Sequence, residues 1–253
     1  MGAKTGLIAY SDVDLVERLR AAPSADPVKT EDLVELVHPG WPRSPAEGST
    51  LFEGTYPPED IVYAGSFSGV DVVCSRHLML DRPSELPAPI VEASKGRRLV
   101  LHAMHSVVDW LAFAVWEDGL LIRSLSLSPD SGIMENIGEP FPFELPYWAG
   151  EHPVEPLEGW PAQGPYPLPF HPLELGEDAL EAFFGFVIEG MPDPDELDAE
   201  AVELIGFQVS DPDVEAVAAR KAEMKAALEA MGPPRMFRLQ PDGSVKEINA
   251  DQW

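Results

Sequence analysis

The chain has 253 residues, and with 45% of them hydrophobic it can build a sizeable core, so composition excludes a globally disordered protein. Its 44 acidic residues against 17 Lys and Arg give a formal net charge of −27, a surface that repels nucleic-acid backbones and anionic lipid headgroups. The lone cysteine, Cys74, excludes a disulfide within the chain and fits a reducing cytoplasm.

The opening MGAKTGLIAYSDVD has one Lys and a short apolar run, which does not fit a signal peptide. No apolar run reaches the ~18 residues that a membrane helix needs. GAKT at Gly2–Thr5 resembles the end of a phosphate-binding loop, but Ala3 stands where the second glycine belongs. A myristoylation signal needs Ser or Thr where Gly6 stands.

Thr5–Tyr10 reads as a buried strand, followed by a helix to Arg20 that opens on a Ser11/Asp14 capping pattern. A second helix is expected from a Thr30 cap to Val37, ended by His38-Pro39-Gly40, and residues 41–58 read as loop. Ile61–Ser66 and Val70–Ser75 are strand-like and joined by a short glycine turn. Cys74 lies in the apolar run VDVVCS, where a buried, inert thiol is expected rather than a nucleophile. A short helix begins at Pro83 and stops near Gly96, and Arg98-Leu-Val-Leu opens another strand.

Leu111–Trp116, Asp118-Gly119 and Leu120–Ser128 carry a type I′ hairpin signal. With Asp118-Gly119 as the loop, Trp116 faces Leu121, Phe113 faces Ser124, Leu111 faces Ser126 and Asp109 faces Ser128. In that register Arg123, Leu125 and Leu127 share a face with Trp110, Ala112, Ala114 and Trp116. Leu111, Phe113 and Val115 share the other face with Ser124, Ser126 and Ser128. Strands apolar on both faces are central and covered on both sides.

Residues 140–172 hold ten of the 27 prolines together with Trp148 and Trp160, which predicts a long loop packed over the core. Leu180, Phe183, Phe184, Val187 and Ile188 form the apolar stripe of a helix over Gly176–Glu189. Further helices are expected near Pro194–Ile205 and Pro212–Met231, and RLQPDGSVKEI reads as a terminal hairpin or tail. The expected fold is α+β: a central, mainly antiparallel sheet of about five to seven strands with packed helices and a helical C-terminal region. Residues 1–190 are expected to form one α+β domain, and 191–253 an acidic helical extension packed on it.

The segments LVLHAMHSVVDWLAFAVWEDG, SLSLSPDSGIMENIGEPFPFELPYWAGEHPV and LPFHPLELGEDALEAFFGFVIEG lead to a resemblance. With the opening MGAKT and IVYAGSFSGVDVVCSR, they resemble an uncharacterised actinobacterial family, a domain of unknown function, over roughly residues 1–190. The resemblance implies a bacterial cytoplasmic setting and brings no activity, ligand or catalytic residue.

The stretch HAMHSVVDW holds the densest chemistry. On a helix, His102 and His105 would share a face and reach one metal; on a strand they leave from opposite faces. The strand reading is favoured, and no metal or cofactor is expected. A Ser-His-Asp arrangement has no GxSxG elbow to present its serine. Glu135, Glu139, Glu144 and Glu151 raise paired-carboxylate chemistry, with a solvated surface as the plainer reading. His105, Asp109, Ser124, Ser126, Ser128 and Asp130 are the groups expected to converge if a small-molecule site lies where the hairpin meets the aromatic loop. A hydrogen-bonded sheet end is the plainer alternative.

Two functions follow. One is a non-enzymatic interaction protein whose acidic surface meets a basic protein partner rather than nucleic acid or membrane. Its surface would lie on the run Asp193, Asp195, Glu196, Asp198, Glu200 and Glu203, expected on one helical segment. The other is a hydrolase-like enzyme using His105, Asp109 and the serines.

Overall fold

The computed structural model describes residues 2–21, 23–155, 165–190, 196–230, 236–240 and 245–248. Contacts divide the chain into two compact units, 1–153 with 167–210 and 154–166 with 211–253.

The first unit is built on a nine-stranded sheet in which every adjacent pair is antiparallel. Its strands are β1 (Lys4–Ser11), β2 (Arg43–Thr50), β3 (Ile61–Phe67), β4 (Val70–Cys74), β5 (Arg98–His105), β6 (Trp110–Glu117), β7 (Leu120–Ser128), β8 (Gly132–Ile137) and β9 (Glu203–Val209). Their spatial order is β2-β9-β3-β4-β1-β5-β6-β7-β8. The helices are α1 (Leu15–Arg20), α2 (Pro27–Val37), α3 (Leu51–Gly54), α4 (Ala88–Glu92), α5 (Leu145–Trp148) and α6 (Pro172–Phe184). This is the α+β class read from the sequence, with two more strands than the upper expectation.

The sheet is covered on both sides because its central strands are apolar at consecutive positions. One face carries Ile8, Tyr10, Leu99, Leu101, Ala103, Ala112, Ala114 and Trp116 against Leu33, Val34 and Val37 of α2 and Ile90 of α4. The opposite face meets α6, where Phe113 lies 5.7 Å from Phe183 between ring centroids and Gly176 rests against Met104 and Leu111. Leu175, Ala179, Leu180, Phe183 and Phe184 supply the buried stripe of α6.

Six of the nine strands answer to expected ones; of β2, β8 and β9, which do not, β2 and β9 carry the weakest strand patterning. β2 reads RSPAEGST, with no apolar alternation and a proline, yet it pairs with β9 as the sheet edge. An edge strand tolerates Pro45 because one side of its backbone lacks a partner strand. Its bulge between Ala46 and Ser49 brings the Glu47 carbonyl so close to Gly206 that a Cβ there would sit 2.0 Å from the oxygen. β9 and the short 3₁₀ turn Ala199–Ala201 replace the helix expected near Pro194–Ile205. Glu203–Val209 reads ELIGFQV, a short run rich in strand-forming residues whose preceding acids mislead towards a helix.

Other boundaries also shift. Asp26, not Thr30, caps α2: its side chain accepts from the Val28 and Lys29 amides, and Pro27 opens the first turn. Asp14 caps α1, while Ser11 belongs to β1. The helix expected over Gly176–Glu189 begins at Pro172 and ends at left-handed Gly185 (φ 80°), so Val187 and Ile188 lie beyond it. The 140–172 stretch contains a 3₁₀ turn at Pro142–Glu144 and α5 before α6 begins. Its residues 156–164, with Trp160, lie outside the described residues.

The hairpin is right at its tip and shifted beyond it. Glu117 pairs with Leu120 and Trp116 with Leu121, while Asp118 and Gly119 take φ of 52° and 78°, the conformation a type I′ turn demands. A bulge then makes Val115 oppose Arg123, Ala114 oppose Ser124, Ala112 oppose Ser126 and Leu111 oppose Leu127. One extra residue moves everything beyond it to the other face. Arg123, Leu125 and Leu127 therefore share the α6 side with Phe113 and Val115. Ser124 and Ser126 join Ala112 and Ala114, the reverse of the expected arrangement.

The second unit contains α7 (Val214–Ala230) and the antiparallel pair β10 (Met236–Leu239) and β11 (Val245–Ile248). Both match the expected helix and terminal hairpin.

Candidate functional site

β5 settles the geometry of HAMHSVVDW. The segment is a strand to His105, so His102 and His105 leave from opposite faces. His102 is fully buried, with Nδ1 2.8 Å from the Thr5 hydroxyl and Nε2 2.9 Å from the Gly176 carbonyl of α6. A carbonyl can only accept, so Nε2 carries the proton and donates, while Nδ1 accepts from Thr5. Burial holds its pKa down at about 4, against the lift from the Gly176 hydrogen bond. His102 is therefore a neutral pin between the sheet and α6.

His105, half-buried at the strand end, accepts from the Val107 amide at Nδ1 (3.3 Å) and meets the Tyr56 ring edge-on at 5.6 Å. Desolvation, then the charges of Lys4 and Arg76, lower its pKa. Asp109 takes a positive φ of 45° in the turn and places Oδ2 3.6 Å from His171 Nε2. His171 uses its other nitrogen to cap α6 through the Leu173 amide.

The serines lie elsewhere. Ser124 and Ser84 both donate their hydroxyls to Glu135, whose Oε1 also accepts the Ser84 amide at 3.0 Å. Ser126 Oγ is buried with no hydrogen-bond partner among the described residues, and Ser128 Oγ accepts from the Ser131 amide at 3.1 Å. Asp130 is exposed. None of these three serines hydrogen-bonds a histidine among the described residues, so the expected polar group is divided among separate partners.

The carboxylates divide as well. Glu135 is buried under the serines on one face of the sheet. Glu144 is buried on the other, where it grips Arg123 through Oε1 (2.9 Å) and Oε2 (2.6 Å). For these two the solvated-surface reading fails; Glu139 and Glu151 are exposed, as that reading expects. The missed signal is a lone arginine in an apolar strand and a lone glutamate in the apolar PFPFELPYW run. Two such charges are buried together far more readily than either alone. Among the described residues no group of three His, Cys, Asp or Glu side chains gathers as metal ligands.

The acidic run is not one helical face. Asp193 and Asp195 lie outside the described residues, and Glu203 opens β9. Asp198 caps the 3₁₀ turn through the Glu200 amide at 3.2 Å. Glu196, Asp198 and Glu200 nevertheless come together around an open cleft of about 440 Å³. Phe52, Phe186, Val187, Ile188 and Leu197 line its interior. The cleft exists because α6 stops at Gly185: the Phe186–Ile188 segment leaves the helix, held where the Leu197 amide reaches the Gly185 carbonyl at 2.7 Å. Glu177 fixes the same segment by accepting the Ile188 and Glu189 amides at 2.8 and 3.2 Å. Burial raises the Glu177 pKa, against those two hydrogen bonds. Among the described residues no Lys or Arg lines the cleft.

No described helix is long and apolar enough to cross a membrane. Residues 5–207 match a protein family described as a family of unknown function (DUF6928). Neither a curated protein nor a solved structure matches the chain.

Proposed function

This chain belongs to DUF6928, a family of unknown function, and from that premise we propose that it is a non-enzymatic interaction protein acting in the cytoplasm. Its partner is a basic protein segment, which seats an apolar side chain in the cleft beside Phe186 and Ile188. The carrying observation is the pairing of apolar lining residues with Glu196, Asp198 and Glu200 and, among the described residues, no lining cation. Apolar contact supplies affinity in such a site, and the acids select Lys or Arg flanking the anchor. The −27 charge steers a basic partner in and disfavours nucleic acid. The single buried thiol, Cys74, suits a reducing compartment.

The hydrolase-like alternative draws little support. Ser124 is held by a carboxylate that orders no histidine, and His105 and Asp109 each face other partners.

Methyl NMR tests the proposal. A synthetic peptide with one leucine flanked by lysines is expected to shift the Val187 and Ile188 methyl signals saturably. Shifts scattered over the surface, or none, would reject the cleft as the site.

A further inference from the structure

A second cluster has the opposite sign. Lys4 at the start of β1, Arg76 just after β4 and His105 at the end of β5 all approach the ring of Tyr56. Arg76 lies 4.0 Å from the ring centroid, Lys4 Nζ 5.4 Å and the His105 ring 5.6 Å. The topology produces this meeting, because β1 lies between β4 and β5 and pairs Lys4 with His105.

The charged ends of this cluster lack an acidic partner among the described residues. Arg76 spends Nε on the Pro57 carbonyl at 2.5 Å, which leaves both terminal nitrogens without a protein acceptor among the described residues. His105 takes the Val107 amide at Nδ1 and meets only its own backbone besides, so no other residue among those described accepts from its ring. No carboxylate lies within ion-pairing distance of Lys4 or Arg76 among the described residues. Arg43, Arg97, Arg98 and Arg123 all have one. In a chain with 44 acids, two cations left facing one ring repel one another and hold the neighbouring His105 neutral, and all three sit partly open to solvent.

We propose that Lys4, Arg76 and His105, gathered on Tyr56, form a binding site for a single phosphate group, free or carried by a small molecule. Arg76 offers a planar pair of N–H donors, Lys4 a mobile ammonium and His105 one ring N–H. A phosphate has enough oxygens to take all three at once, where a carboxylate has two. The chain's acidic excess does not forbid this, because charges beyond ~8 Å are screened at physiological salt. A polyanion would meet the whole surface; one phosphate meets only the cluster. Tyr56 adds a flat ring that fixes Arg76.

Inorganic phosphate, glycerol 3-phosphate and acetate are the probes, with binding read from the His105 imidazole signals of the full chain by NMR. Both phosphates are expected to bind saturably and to raise the His105 pKa, because a bound anion offsets Lys4 and Arg76. Lys4→Met is expected to weaken binding about tenfold, the loss of one charge-assisted contact. That ammonium has no hydrogen bond to lose, so the fold is expected to persist; Arg76→Lys gives a second variant that keeps the charge and loses the fork. Tighter binding of glycerol 3-phosphate would assign a phosphorylated small molecule, and tighter inorganic phosphate the free ion. Absence of saturation, equal binding of acetate, or full affinity in Lys4→Met would overturn the site.

Discussion

Arg123 and Glu144 are both fully buried and meet through two parallel hydrogen bonds, Nε to Oε1 at 2.9 Å and Nη2 to Oε2 at 2.6 Å. Further polar groups surround the pair. Arg123 Nη1 reaches Asn136 Oδ1 and the Ile137 and Gly138 carbonyls, and Glu144 accepts the Phe141 amide and Trp148 Nε1. The pair binds the proline-rich segment after β8 to the middle of β7. Removing one partner strands a buried charge, so Glu144→Ala is expected to cost about 3–5 kcal/mol in equilibrium urea unfolding. An Arg123→Met, Glu144→Leu double variant is expected to cost less than the two single changes added together. Additive losses would show that the two side chains act independently.

His102 makes stability depend on acid. Its pKa is about 4 when folded against 6.5 when unfolded, so its contribution is complete above pH 6.5. As pH falls from there the unfolded chain takes up a proton that the folded chain refuses, and stability declines until about pH 4. The loss integrates to about 3 kcal/mol. Unfolding free energies measured across that window should fall more steeply for the wild type than for His102→Asn. Parallel curves would mean that His102 is charged, or solvated, in the folded protein.

Cys74 is fully buried in β4, and burial pushes its thiol up to about 12. Alkylation under native conditions should be on the order of a thousandfold slower than in denaturant, because labelling has to wait for opening. Fast native labelling would place the thiol at the surface and break the β1–β4 register.

The serines give opposite expectations. Glu135→Ala leaves the hydroxyls of Ser84 and Ser124 and one amide without their acceptor, at a cost of about 2 kcal/mol or more. Ser126→Ala removes a buried hydroxyl that has no partner, so it is expected to be neutral or stabilising by up to about 1 kcal/mol. Thermal unfolding of the two variants separates the cases. A clear loss in Ser126→Ala would indicate a hydrogen bond that the described residues do not provide.

Local signals carried much of this fold. Asp118-Gly119 marked its turn because a type I′ hairpin needs two positive φ angles, and the apolar runs of β5 and β6 marked strands covered on both sides. What the sequence hid was non-local. β2 is a strand only because β9 offers it an edge, and Gly206 only makes sense once Glu47 is beside it. The bulge at Ile122 leaves no mark in composition, yet it exchanges the faces of Arg123 and the serines. The candidate site failed for the same reason: closeness in sequence grouped His105, Asp109 and the serines, while strand alternation and that bulge sent them to different neighbours. The acidic run was visible, but its apolar counterpart was not, since Val187 and Ile188 look like the end of a helical stripe until Gly185 is seen to end it.

The cleft is tested most directly by the affinity of a fluorescent lysine-flanked leucine peptide, measured by anisotropy across a salt series. Wild type is compared with a Glu196→Lys, Glu200→Lys variant, and the lysine-flanked peptide with a glutamate-flanked one. The expected result is saturable binding that weakens steeply with salt, fails for the acidic peptide and drops by about tenfold or more in the variant. Saturable binding that ignores salt and survives the charge reversal, or no binding at all, would contradict an acid-lined site for a basic partner.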